Sequence, residues 1–428
     1  MKTKKSFYLA LTLFSLAGQI AWVVENMYFN VFIYKMFHAS PSEISLMVSA
    51  SAVTATVTTL LIGALADKLG KRKIFICAGY ILWGISILAF CLLRTDILGK
   101  LFPSVLSLSS LGVTLTVVLD CVMTFFGSSA NDAAFNAWLT DSTDHSNRGK
   151  AEGINAMMPL LAILAVFGGF MGFDLNRENS WTLIFLIIGG VMILLGILGF
   201  FLIRDPKIQT EANQNYFKNI LYGFRPSVIR AHKKLYLHLI SFAIFGISIQ
   251  IFMPYLILYY TETLHLDNYV LIMAPAVILA AIFTLIWGRV YDKIGFRRGI
   301  ALPLLLLGVG YAVLIWFTHT VPVFLGSLLM MCGYLAGMAV FGAAIRDETP
   351  ENRSGMFQGL RIVGQVLIPG LIGPVIGSAV LQNAATVVND DGTTSFIPNE
   401  NIFFAALAVA TALSLWLLIQ FRLGRKKN

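Results

Sequence analysis

Three carboxyl side chains stand where an apolar environment tolerates them least. Glu25, Asp120 and Asp132 each fall inside a long apolar run, whereas most of the 22 acids lie in the polar stretches between runs. An ionised acid in hydrocarbon costs about 2.5–3.5 kcal/mol on insertion scales, so it is expected to face a watery cavity or a partner. Desolvation favours the neutral carboxyl, which suits such a group to load a proton on one side and release it on the other. Glu25 and Asp132 are the leading candidates for that chemistry. Asp120 is a third, placed by its position in the run nearer the outer surface, where water would satisfy it. Steps of three and four residues put Gln19, Trp22, Asn26 and Asn30 on one helical face with Glu25 at its edge. Asp120, Thr124, Ser128, Asp132 and Asn136 recur every fourth residue, with Asn131 alongside. Such a row drifts around a helix, so only its middle can face one point. Trp22, Asn26, Asn30, Asn131 and Asn136 are candidate solute contacts; the plain alternative for each asparagine is an interhelical hydrogen bond.

The second half carries no acid inside its runs and offers neutral groups instead: Gln250, Tyr334 and Gln365 are its candidate solute contacts. Arg361 is expected to snorkel towards the membrane surface, and Trp138 to anchor at the interface or stack on a solute. No nucleophile–base set or nucleotide loop appears. The four cysteines fall inside apolar runs without metal-ligand spacing, so they read as packing residues. No cofactor, metal or enzymatic chemistry is expected.

The elements that must hold these groups are set by composition. The 428 residues are 57% hydrophobic and 12% charged, against about 25% charged in soluble domains, and the mean hydropathy is +0.78. That excludes a cytosolic enzyme, a disordered tail and a disulfide scaffold. A bilayer core takes about 20 helical residues. Twelve runs fit: 8–34, 44–66, 74–93, 112–139, 152–173, 181–203, 235–260, 269–291, 300–317, 321–345, 356–382 and 401–421. The stretch 101–111, broken by Pro, Ser and Gly, reads as an interfacial extension before the fourth run. The first run continues past Trp22 without a clear cleavage site, so it reads as an uncleaved helix rather than a signal peptide. With twelve spans, 27 of the 31 Lys and Arg fall on the side of both termini. That side is expected to be cytoplasmic, and the net charge of +9 becomes an orientation signal rather than a nucleic-acid footprint.

The chain also repeats itself. Gly63, Asp67, Lys68 and Gly70, after the second run, recur at an offset of 225 as Gly288, Asp292, Lys293 and Gly295, after the eighth. Basic residues follow both, Arg72 in the first copy and Arg297 in the second. A looser pair, Asp141 to Gly153 and Asp347 to Gly359, carries Arg148 and Arg353. The expected organisation is an N-terminal six-helix bundle (1–203), a basic connection (204–234) with an amphipathic piece near 217–222, and a C-terminal bundle (235–428). Parallel repeats of this kind are a transporter architecture.

The loop G-x-x-x-D-K-x-G-K-R-K resembles the signature loop of the major facilitator superfamily, and its second-half copy strengthens the likeness, which extends over essentially the whole chain. It implies an all-α membrane protein of twelve spans in two pseudo-symmetric bundles, moving a solute by alternating access. Gly63 and Gly288 would allow close helix contact. Asp67 and Asp292, with Arg72, Arg297, Arg148 and Arg353, would form a latch that breaks between states. The stretch from Asn131 to Asp141, and Trp22 to Asn30, is similar to spans four and one of the glycoside–pentoside–hexuronide:cation symporters and the sucrose/proton carriers. Melibiose-type sodium symporters of that group carry two acids on span two; Thr59 and Ala55 stand there in this chain, which favours a proton over sodium. The expected partners are therefore a small neutral solute, a co-transported proton and the bilayer, without nucleic acid, for a monomer in the plasma membrane. The competing readings are a proton-linked exporter of amphipathic compounds and a non-transporting receptor or scaffold. Against the exporter, Met157 to Leu160 lacks the G-P-x-x-G-G pattern of antiporters.

Overall fold

In a computed structural model, described over residues 2–143, 147–205, 224–266, 268–349, 359–389 and 392–425, helices cover all twelve apolar runs. They are α1 (Lys5–Phe37), α2 (Pro41–Ala66), α3 (Lys73–Leu92), α4 (Leu108–Asp141), α5 (Arg148–Phe170), α6 (Glu178–Leu202), α7 (Lys233–Thr263), α8 (Val270–Gly299), α9 (Ala301–Trp316), α10 (Thr320–Asp347), α11 (Gly359–Val380) and α12 (Asn401–Arg422). Eleven are long and apolar enough to cross a bilayer. The shorter α9 spans about 24 Å at 1.5 Å per residue. The amphipathic piece expected near 217–222 lies outside the described residues, as do Arg353 and the side chain of Asp67.

Most of the helices are apolar on both faces. α6 buries Trp181, Phe185, Ile188 and Met192 while exposing Leu183, Leu186, Ile187 and Leu194. In water that outer face would be a defect; in lipid it is solvated, which is why the sequence shows no amphipathic stripe there. Between α3 and α4 a short helix, Thr95–Leu101, is followed by a turn. Ser107 accepts the Ser110 amide at 3.2 Å and so caps α4, while Leu101, Phe102, Val105 and Leu106 stay exposed. One feature falls outside the sequence reading. Between α11 and α12, β1 (Thr386–Val388) pairs antiparallel with β2 (Thr394–Phe396), Thr386 facing Phe396.

The chain divides into two compact units, Met1–Phe217 and Lys218–Asn428. Inside the first, α1 packs on α5 and α6, α3 on α6, and α4 on both α2 and α3. Inside the second, α7 packs on α11 and α12, α9 on α12, and α10 on both α8 and α9. The same pairings recur six helices on, so the loop repeat belongs to a repeat of the whole bundle. The loop glycines recur for a local reason: Gly70 and Gly295 have φ of 62° and 69°, a left-handed turn that a side chain would strain. Gly288 corrects an expectation. A Cβ there would meet open space within 4 Å, so it makes no close helix contact in this structure.

Candidate functional site

Among the described residues, four short π-helical segments interrupt the α-helices: Val24–Tyr28 in α1, Ser128–Phe135 in α4, Tyr259–Thr263 in α7 and Val363–Leu367 in α11. Glu25, Asn26, Asn131, Asp132 and Gln365 all lie in them. A π turn bonds five residues back and leaves carbonyls short of an amide donor. Side-chain amides take up that role in unit 1. Asn26 donates to the Trp22 carbonyl at 2.7 Å, Asn30 to the Asn26 carbonyl at 2.9 Å, and Asn136 to the Asp132 carbonyl at 3.1 Å. The wider turn also offsets the drift of the every-fourth-residue row, and Ser128 stays beside Asp132.

The carboxyls sit within this frame. Glu25 is buried, and its Oε1 accepts the hydroxyls of Ser51 on α2 and Thr124 on α4, the latter at 2.9 Å. Ser51 and Thr124 are themselves 3.0 Å apart. Asp132 accepts Ser128 Oγ at 3.0 Å and Asn131 Nδ2 at 3.3 Å; Trp22 is a further hydrogen-bond partner. Asp120 is 1% exposed, which corrects its placement near outer water: the neighbouring helices cover it. Glu25 lies within electrostatic reach of both Asp120 and Asp132. Glu25 Oε2 and Asp120 Oδ1 are buried without a hydrogen-bond partner. Among the described residues no basic side chain pairs with any of the three. Charging them together would set like charges in a poorly screened interior, so neutralisation by a proton or cation relieves the whole group.

Behind the acids the packing is tight. The Trp22 and Trp83 rings lie 5.0 Å apart. Tyr80 Oη sits 2.7 Å from the Phe14 carbonyl and 3.1 Å from Asn131 Oδ1. Asn131 is thus engaged at both ends of its amide and 4% exposed, so it holds Asp132 rather than facing a solute. Asn30 is fully buried, its Nδ2 on the helix backbone and its Oδ1 without a hydrogen-bond partner. Trp22 is half-buried, while Asn26 and Asn136 are exposed. Gly18 is the residue the sequence concealed. A Cβ there would come within 2.5 Å of Asn131 Oδ1 and 2.9 Å of Tyr80 Oη. Ser51 was hidden too, one hydroxyl among many on α2.

Unit 2 places its polar groups differently. Gln250 and Tyr334 are half-buried, and α11 approaches Gln250 so closely that a Cβ on Gly373 would lie 2.4 Å from Gln250 Cβ. Gln365 accepts Arg361 Nε at 3.0 Å, both side chains half-buried. Buried hydroxyls fill the interior: Tyr260 with Ser327 at 2.6 Å and Tyr311 with Ser248 at 3.2 Å.

Of the expected latch, Arg72 is buried and donates to Asp141 at 3.1 Å, while Asp205 accepts the amides of Arg72 and Lys73. Arg148 reaches Thr143 and the Thr140 carbonyl at 3.5 Å. In unit 2, Arg297 lies over the Phe421 ring at 5.3 Å, and Asp292 is exposed. Gly63 is half-buried in α2. Trp138 is no interfacial anchor: it is 2% exposed, its indole bonded to the Arg204 carbonyl at 3.0 Å.

Comparison with curated proteins finds no match. Solved structures do match over nearly the whole chain. A mutant of the nucleoside transporter NupG aligns with TM-score 0.73 at 14% identity, covering 96% of this chain and 99% of that one. A bacterial homologue of the human lysosomal transporter Spinster gives 0.71 at 16%, covering 99% and 97%. The xylose transporter XylE from E. coli gives 0.67 at 13%, covering 96% and 97%. At these identities the likeness is one of fold. The sequence profile of the Major Facilitator Superfamily matches twice, over residues 7–284 and 239–427. Twelve helices, a repeated bundle and that match agree: the chain is a multi-pass membrane protein of the Major Facilitator Superfamily, a transporter rather than an enzyme.

Proposed function

We propose that the protein is a proton-coupled symporter that accumulates a neutral polar solute, a sugar or glycoside, by alternating access. The observation that carries this reading is the group of Glu25, Asp120 and Asp132, buried or half-buried without a basic partner among the described residues. A carrier that moves between two sides cannot carry an uncompensated buried charge cheaply, so loading a proton gates the step. One charge crossing 100 mV supplies about 2.3 kcal/mol, enough for roughly fortyfold accumulation of a neutral solute. Trp22, Asn26, Asn136, Gln250, Tyr334 and Gln365 supply the amide, hydroxyl and ring surfaces such a solute needs. One of the similar folds is a D-xylose-proton symporter, which supports the coupling ion and the solute class together. The termini are assigned to the cytoplasm on the distribution of Lys and Arg, and the plasma membrane is the proposed location for a solute importer. Asp67 and Asp292, with their neighbouring basic residues, are assigned as the latch.

Uptake into liposomes under an imposed pH gradient, screened with sugars, glycosides and nucleosides, tests the assignment. Accumulation should follow an inwardly directed proton gradient and collapse when it is dissipated. Accumulation that follows sodium alone, or solute efflux against a proton influx, overturns it.

A further inference from the structure

Glu25 belongs to α1, yet both hydrogen bonds to its carboxyl come from other helices. Ser51 of α2 and Thr124 of α4 donate to the same atom, Oε1, and the two hydroxyls lie 3.0 Å from each other. All three residues are buried, Thr124 completely. The second carboxyl oxygen, Oε2, is buried with no hydrogen-bond partner. The two oxygens are therefore supplied differently. A hydroxyl bonds a carboxylate more strongly than a neutral acid, because the bond to the ionised form is charge-assisted. Oε1 carries two donors that favour the charged form, and Oε2 is left for an incoming proton.

The surroundings make release, not loading, the difficult half of a transport cycle. Asp120 and Asp132 of α4 act on Glu25 through space. Cys121 of α4 lies within reach of Glu25, and Tyr80 of α3 within reach of Asp132. Each of these groups is neutral or negative, so none stabilises a second negative charge. On the other helices packed against α1 the charged residues stand at the ends. Glu43 of α2 bonds to Ser40, Glu178 of α6 to Thr95 and Arg94, and Arg148, Lys150 and Glu152 are exposed at the start of α5. Among the described residues no cation forms an ion pair with Glu25. An acid so placed would keep its proton on both sides of the membrane, and a carrier needs it to let go.

We propose that Ser51 and Thr124 are the residues that let Glu25 release its proton. On loading, the incoming proton forms an O–H bond at Oε2 and the carboxylate becomes a neutral acid. On unloading that O–H bond breaks, the proton passes to water, and the charge left behind is held by the two hydroxyl hydrogens at Oε1. No other bond is made or broken. Ser51 and Thr124 are positioning residues: they act through Glu25. The inference rests on the reading of Glu25 as a coupling acid and names what sets its release.

Infrared difference spectroscopy on the purified full-length protein tests it. The carbonyl band of protonated Glu25 is assigned by its loss in Glu25→Gln and followed as the pH is raised. In Ser51→Ala and in Thr124→Val the band should persist to higher pH, by about one unit in each, the scale of one charge-assisted hydrogen bond. Ser51→Thr and Thr124→Ser, which keep the hydroxyl, should titrate as the wild type does. In liposomes at fixed external pH, the internal pH needed for half-maximal uptake should rise by the same amount. The two substitutions lie on different helices, so a folded protein from either one decides the matter. A wild-type band that titrates and does not move in the variants, even with Tm lowered, overturns the role of the hydroxyls and leaves proton coupling standing. A wild-type Glu25 band that never titrates overturns the inference outright; if uptake also ignores the proton gradient, the transport reading falls with it.

Discussion

The two bundles share one set of helix pairings but bury different chemistry. Unit 1 buries Glu25, which accepts the hydroxyls of Ser51 and Thr124, buries Asp120, and half-buries Asp132. Unit 2 fills its interior with neutral pairs, Tyr260 with Ser327 and Tyr311 with Ser248, and keeps Gln250 and Gln365 half-buried. A repeat that keeps its packing while changing its polar residues separates two tasks. Packing depends on shape, so both copies retain it. A titratable group is costly wherever it is placed in a membrane, so one bundle holds the acids while the other contributes neutral hydrogen-bonding surface. The same contrast runs through the repeated loops: Arg72 is buried on Asp141 in unit 1, whereas its counterpart Arg297 lies on an aromatic ring in unit 2.

The division is most exposed at the acids. Glu25→Gln and Asp132→Asn should each abolish proton-driven accumulation in liposomes, a loss of up to the roughly fortyfold that one charge crossing 100 mV supplies, while solute exchange without a gradient persists. Full accumulation by both variants would erase the distinction between the units. Next in size, Gln250→Ala and Gln365→Ala should raise KM for uptake by about tenfold, the value of one or two hydrogen bonds. The accumulation ratio at saturating solute should stay as in the wild type; a lower ratio would mean that unit 2 shares in coupling. Gly18→Ala presses on the Asn131 amide that positions Asp132. It should slow uptake by about threefold to tenfold and move the midpoint of the pH–rate profile, on the scale of a side chain displaced from its hydrogen bond. A lowered Tm with an unmoved profile would make Gly18 a packing residue only. The smallest effect concerns the loops. Asp141→Asn removes the ion pair that Asp141 makes with the buried Arg72 and should lower Tm in detergent by a few degrees. Asp347→Asn, which keeps an acceptor for the Tyr291 hydroxyl but removes its charge, should lower it less; equal shifts would remove the asymmetry between the loops.

Much of this architecture is legible in sequence. Hydrocarbon demands about 20 apolar residues per span, so the twelve runs announce the twelve helices to within a few residues at most ends. The repeated Gly–Asp–Lys–Gly loop announces the repeated bundle, and acids inside apolar runs draw notice because so few are tolerated. The local reading goes further astray where backbone geometry intervenes. Asn30 and Asn131 carry the residue type of a binding site, yet the π turns and Tyr80 claim their amides. Position along one helix places Asp120 near outer water, and the neighbouring helices that cover it are not part of that count.

Sequence alone determines how many times the chain crosses the membrane, that it does so twice over with one plan, and which few side chains carry charge into the interior. Those properties follow from solvent and periodicity, which act on neighbours along the chain. Which acid meets which hydroxyl, that Gly18 makes room for the Asn131 amide, and that Arg361 turns to Gln365 are decided only by the tertiary structure. Such contacts join residues as many as 113 positions apart, as with Gly18 and Asn131, or depend on the path of the backbone around them. No pattern local to either partner specifies which groups the packed bundle brings together.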